Sequence, residues 1–124
     1  MSLPQQVDIR NFARSLGLIL TYRPGDVIFR EGDEPRYMYV VLHGTVQISS
    51  HGKPIETILE GNALGVISLL DGMPRSATAS ALSDIEVAIL DQKKFRYMVE
   101  EVPNFVWYIM GELVHRLRTT NAAL

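Results

Sequence analysis

The sequence predicts a mainly β domain, a sandwich or barrel, with helices at both ends. Three observations carry this expectation. Short β-rich runs occur at Leu18–Tyr22, Val27–Arg30, Tyr37–Leu42, Thr45–Ser49, Ile55–Leu59, Ser76–Ala81 and Ile85–Leu90. Between them stand tight turn signals, Pro24-Gly25, Gly32-Asp33, His43-Gly44, Gly52-Lys53-Pro54 and Gly61-Asn62, a punctuation that suits antiparallel strands and not a βαβ sheet. Apolar residues alternate cleanly at Val46/Ile48 and at Ile85/Val87/Ile89, so each of these strands turns one face to a core.

In chain order, residues 1–6 carry no pattern and are expected to fray. Asp8 is placed to cap a helix whose apolar residues Ile9, Phe12, Ala13 and Leu16 fall on one face, with Gly17 as its stop. Gly25, Gly32, Gly44 and Gly61 serve turns that need positive φ. The stretch Gly61–Ala81 differs from its surroundings. A glycine turn opens into about one and a half turns of apolar helix (Val66 to Leu70). A second turn follows, and Arg75 then stands at the mouth of a small-residue strand. From Asp91, a helix cap, the helical period returns with Phe95, Met98, Val99 and Val102 as one stripe. Pro103-Asn104 breaks it. On the final helix Val106, Met110, Leu113 and Leu117 have coiled-coil spacing, which serves a partner helix or packing against the barrel equally well.

The chemistry concentrates around Arg75. An arginine in a turn ordinarily makes a surface ion pair of little worth. Here the residues that follow it, Ser76 to Ala81, form a strand face too small to fill space, which points to a cavity. The first amides of the short helix lack intrahelical partners and carry the positive end of its dipole. Gly65 lets the backbone approach a ligand closely, and the Arg75 fork matches two oxygens of an anion. An anion pocket is the simplest physical reading. Ser76 either donates to a phosphate or purine edge or is a solvated strand hydroxyl.

Composition bounds the rest. At 124 residues the chain suits one domain with a single core. A formal net charge of −2 gives no case for nucleic acid or an anionic membrane as a partner of this chain alone. No apolar run approaches membrane-spanning length and no signal pattern opens the chain. Cysteine is absent, which excludes disulfides and thiolate metal sites and leaves a cytoplasmic location as the expectation. His43, His51 and His115 fall on turn, turn and helix without ligand spacing, so no metal is expected and a cupin-type metalloenzyme is disfavoured. No nucleophile elbow accompanies any serine, and the chain is not expected to be an enzyme.

Pro74-Arg75-Ser76-Ala77-Thr78 matches, position for position, the Pro-Arg-x-Ala-Thr segment that ends the phosphate-binding cassette of the cyclic-nucleotide-binding domain family. That family supplies the sensor module of catabolite-activator-type and fumarate-nitrate-regulator-type proteins and of cyclic-nucleotide-dependent kinases and channels. Arg23 to Asp33 resembles its opening hairpin, and Tyr39 to Val46 its next one. The first half of the cassette departs: Leu64-Gly65-Val66 keeps the glycine of the family's Phe-Gly-Glu, but Val66 stands where the glutamate would be.

The resemblance implies a single domain over residues 1–124. It would comprise an N-terminal helical segment (1–17), an eight-stranded double-sheet jelly-roll β-barrel (18–90) containing the cassette (61–81), and C-terminal α-helices (91–124). It implies a regulatory domain that binds cyclic AMP, cyclic GMP or a related small-molecule anion and relays this through the C-terminal helix. The ligand-binding set would be Leu64, Gly65, Val66, Ile67, Ser68, Arg75, Ser76 and Ala77, with Arg75 and amides near Ser68 and Ala77 on the cyclic phosphate. The usual acceptor for the ribose 2′-hydroxyl would be missing. Bacterial members often pair through the last helix, so a homodimer is expected. Their DNA-binding domain follows that helix, whereas this chain reaches Leu124 with Arg116 and Arg118 as its late basic residues. DNA reading, if any, is expected to lie elsewhere. The rival that Val66 favours is a degenerate barrel that binds no ligand and acts as a dimerisation or interaction module.

Overall fold

The computed structural model describes residues 8–121, so the expectation for residues 1–6 lies outside it. The chain runs α1 (Arg10–Leu16), β1 (Leu18–Tyr22), β2 (Val27–Phe29), β3 (Tyr37–His43), β4 (Val46–Ser50), β5 (Lys53–Ile58), β6 (Ala63–Leu64), α2 (Val66–Asp71), β7 (Thr78–Ala81), β8 (Ile85–Asp91), α3 (Gln92–Glu101) and α4 (Phe105–Asn121). Two antiparallel four-stranded sheets, ordered β1-β8-β3-β6 and β2-β7-β4-β5, make the jelly roll with flanking helices. The eighth strand is β6, two residues long, which sequence alone did not separate from the turn before it.

Period-two alternation explains how one sheet serves two cores. On β3, Tyr39 and Val41 face the second sheet and pack with Val46, Ile48, Ile58, Ala79, Ala81 and Val87. Met38, Val40 and Leu42 face the other way, under α1, α3 and α4. β8 divides likewise, Ile85 and Val87 inward and Ala88 and Leu90 toward the helices. The helix-side core is closed by Phe105 of α4, fully buried, its ring 5.7 Å from that of Phe95. Burying such a side chain contributes about 1.5–3 kcal/mol.

Several local expectations are corrected. Ile9, not Asp8, is the N-cap of α1; the Asp8 carboxylate instead accepts from the Arg10 amide at 3.0 Å. Phe12 points to solvent. Gly17 ends α1 in extended conformation, and glycine is required because a Cβ would sit 2.8 Å from the Ile89 carbonyl oxygen. The hairpin before β5 turns on His51-Gly52, both at positive φ, so Lys53 and Pro54 already belong to the strand. Proline is tolerated there because β5 lies at the sheet edge. Thr45 and Leu59 fall outside the strands, and His43 ends β3 instead of sitting in a turn. Gly25, Gly32, Gly44 and Gly61 all have positive φ, as expected.

The Asp91 cap holds, its carboxylate accepting from the Lys94 amide at 2.8 Å. Phe95, Met98 and Val102 are buried, while Val99 stays outside. On α4 the barrel takes Phe105 and Ile109, with Tyr108 and Leu113 packed partly against it. Val106, Met110 and Leu117 of the coiled-coil seam are exposed, so most of that seam does not pack on the barrel.

Candidate functional site

β6 and α2 approach the Arg75–Ala77 segment to form a cleft enclosing about 60 Å³ of free space beside an open mouth. All eight residues predicted to bind ligand line it: Leu64, Gly65, Val66, Ile67, Ser68, Arg75, Ser76 and Ala77. Phe29, Ile48 and Arg116 complete the lining. β7 begins only at Thr78, so Ser76 and Ala77 are loop residues. The small residues beyond them do not line the cleft: Ala79 and Ala81 are packed into the inter-sheet core. The cavity therefore arises where the loop leaves the sheet, and not beneath the small strand face.

Arg75 points inward and is only 5% exposed. Its Nη1 donates to the Gly65 carbonyl at 2.9 Å, and its Nη2 donates to the Tyr37 carbonyl. The guanidinium lies over the Phe29 ring, 4.2 Å from the centroid, a cation–π contact strengthened by exclusion of water. The backbone of Arg75 is fixed as well, its amide donating to Asp33 and its carbonyl accepting from Gly32. No carboxylate among the described residues forms an ion pair with it, and its buried Nε–H has no acceptor there. Burial accordingly pulls its pKa down, opposed by the fields of Tyr39 and Asp33. The group stays charged, since arginine does not deprotonate in proteins.

Gly65 makes this geometry attainable. It is the N-cap of α2 with φ +81°, and a Cβ there would lie 2.7 Å from Nη1 of Arg75. Val66, 7% exposed, begins α2 and presents an apolar wall to the cleft while packing into the helix-side core. Ser68 is buried on the same short helix, and Ser76 and Ile67 stand exposed at the rim.

The final helix reaches the same cleft. Arg116 lines it, and its Nη1 lies 3.4 Å from Oε2 of Glu56 on β5. Glu56 also lies 3.8 Å from Nε2 of His115. One turn before Arg116, Glu112 is half-buried, and burial pushes its carboxyl up. Eight residues before Arg116, the Tyr108 hydroxyl accepts from the amide of Ala63 at 2.7 Å, beside Leu64. Burial raises the Tyr108 pKa, so the phenol stays neutral. Phe29, Ile48 and Arg116 were missed as cleft residues. The first two read as strand residues, and Arg116 had only its charge to draw notice.

The histidines are dispersed. His43 pairs with Glu60 at 3.2 Å, and His51 contacts the Ser50 hydroxyl at 3.0 Å. Among the described residues no three His, Asp or Glu side chains are grouped to hold a metal ion, and no helix is long and apolar enough to cross a membrane.

Comparison with known proteins places this geometry. The chain is 37% identical over 82 residues to a cAMP-dependent protein kinase regulatory subunit of Debaryomyces hansenii, covering 64% of this chain and 18% of that protein. The chain spans between 8% and 18% of the curated relatives it matches. It superposes on the catabolite activator protein of Thermus thermophilus with a TM-score of 0.81 and 26% identity, covering 96% of this chain and 58% of that one. The cAMP-bound form of the EAL enzyme Bd1971 matches with a TM-score of 0.63 and 29% identity, covering 86% and 29%. A family model, the cyclic nucleotide-binding domain, matches residues 19–102. With the jelly roll, the cleft and this match in agreement, the chain belongs to the cyclic nucleotide-binding domain family.

Proposed function

We propose that this domain, a single unit over residues 1–124, senses a cyclic nucleotide, cyclic AMP or cyclic GMP, in the cleft beside Arg75 and relays occupancy through α4. The observation that carries the reading is a nearly buried guanidinium with no acidic partner among the described residues, lining a cavity and keeping an unused N–H. Such a group is costly to bury unless an anion completes it. Leu64, Gly65, Val66, Ile67, Ser68, Ser76 and Ala77 shape the cleft around it. The domain acts as a regulator and not as an enzyme, in the cytoplasm, and needs no metal.

Position supports the relay. The cleft offers about 60 Å³ beside its open mouth, where a phosphate group fits and the rest of a nucleotide would extend outward. Arg116 of α4 lines the same cleft, so a ligand there would touch the helix. The exposed Val106, Met110 and Leu117 then offer a seam for a homodimer.

Two features favour the rival, an interaction module without ligand. Val66 supplies no carboxylate, and both Nη atoms of Arg75 already donate to protein carbonyls. Thermal unfolding separates the two. With millimolar cyclic AMP, cyclic GMP or sulfate, a sensor gains stability by mass action. The cyclic nucleotides should raise Tm in the wild type and leave Arg75→Ala unmoved. No rise with any of them overturns the sensor and leaves the interaction module.

A further inference from the structure

Two cations line the cleft, and they differ in kind. Arg75 is buried and fixed by backbone carbonyls, whereas Arg116 comes from α4, is about a quarter exposed and is held by a carboxylate. Only its Nη1 engages Glu56, at 3.4 Å, so a fork with five N–H donors keeps others for the cleft. Glu56 faces Ile48 across the β4–β5 ladder, and Ile48 is itself a lining residue. A negative charge, itself outside the lining, therefore stands next to Arg116 and Ile48, two residues that line the cleft. Glu112, His115 and Tyr108 are other titratable groups whose fields act here.

Resting on the reading of the cleft as an anion site, we propose that Arg116 is a second anion-holding residue and that Glu56 competes with the ligand for it. An entering phosphate is drawn by both guanidinium groups and repelled by Glu56. Arg116 can serve the anion only by giving up its contact with Glu56. Because Arg116 is carried on α4, that exchange moves the helix. The pair is partly buried, so salt screens it less than an open surface pair.

The test is titration calorimetry with cyclic AMP on the 124-residue chain and on Glu56→Gln, Arg116→Gln, the double variant and Arg75→Ala. Glu56→Gln should bind roughly two- to fivefold more tightly, the scale of a partly exposed pair. Arg116→Gln should bind about tenfold more weakly, the scale of one charge-assisted hydrogen bond. In the double variant the gain from Glu56→Gln should vanish, because both changes act on one contact. If Arg116→Gln does not fold, Arg116→Lys, which keeps charge without the fork, should show a smaller loss. A merely structural ion pair would shift both single variants in the same direction, and that result overturns the inference. So does absence of any shift while Arg75→Ala still abolishes binding, an outcome that leaves the anion site standing. Undetectable binding in both the wild type and Glu56→Gln overturns the inference and the site together.

Discussion

The carbonyl of Gly65 accepts from Nη1 of Arg75 at 2.9 Å, and the same glycine has no room for a side chain, since a Cβ would lie 2.7 Å from that nitrogen. Gly65→Ala therefore strains the backbone at φ +81° and pushes against a cation with nowhere to move. The left-handed conformation alone costs about 1–2 kcal/mol in a residue with a Cβ. Urea unfolding should show a loss of at least that size, together with weakened cyclic-nucleotide binding. Unchanged stability would mean that the loop adapts freely and that Arg75 is not held as described.

Val66→Glu brings a carboxylate into the lining of the cleft. A charge-assisted hydrogen bond to a ribose hydroxyl contributes about 1.5–3 kcal/mol, which is roughly ten- to a hundredfold in affinity. Calorimetry should show that gain for cyclic AMP and none for 2′-deoxy cyclic AMP, whereas the wild type should bind the two about equally. Equal behaviour of both ligands on the variant would place the ribose away from position 66.

Tyr108→Phe leaves the Ala63 amide without its acceptor, at a cost of about 1–3 kcal/mol in urea unfolding. The pH dependence has a definite sign. The folded-state pKa of Tyr108 is raised by burial, so the unfolded chain ionises first. Its contribution is complete below the ordinary tyrosine value of about 10 and is lost as pH rises through the raised value. The stability gap between wild type and Tyr108→Phe should therefore narrow above pH of about 10. A gap constant with pH would mean that the phenol is not the titrating group.

Met110→Glu tests the α4 seam. Met110 is 47% exposed and sits outside both core clusters. Sedimentation should show a dimer for the wild type and a monomer for the variant. Monomer stability should change by less than about 0.5 kcal/mol, as for other surface positions. A dimer that survives the substitution would place the interface elsewhere.

A sandwich or barrel was legible because most strands are short β-rich runs bounded by tight turns, two of them cleanly alternating. The jelly roll itself came from the resemblance of the cassette and hairpins. Boundaries slipped where tertiary contacts decide: Pro54 enters a strand only because that strand is an edge. The Gly17 stop held, but the reason only glycine fits there, the Ile89 carbonyl beside it, is non-local as well. β6 was hidden because a two-residue strand has no period to read. At the site, the cassette residues are contiguous in sequence and announced themselves. Phe29, Ile48 and Arg116 lie far from them in the chain and meet them only through folding. Their part depends on sheet register and helix length, which no local pattern encodes.

The hydrogen bond between Tyr108 and Ala63 has a reach beyond its own strength. Ala63 is followed directly by Leu64, which walls the cleft, so under the proposed function a bound ligand and the helix would pull on neighbouring peptide units. Coupling of this kind is reciprocal: whatever factor a nucleotide applies to the docking of α4, a protein gripping α4 must apply to the nucleotide. Any downstream target that seizes the helix would thus retune the dose at which the signal is heard.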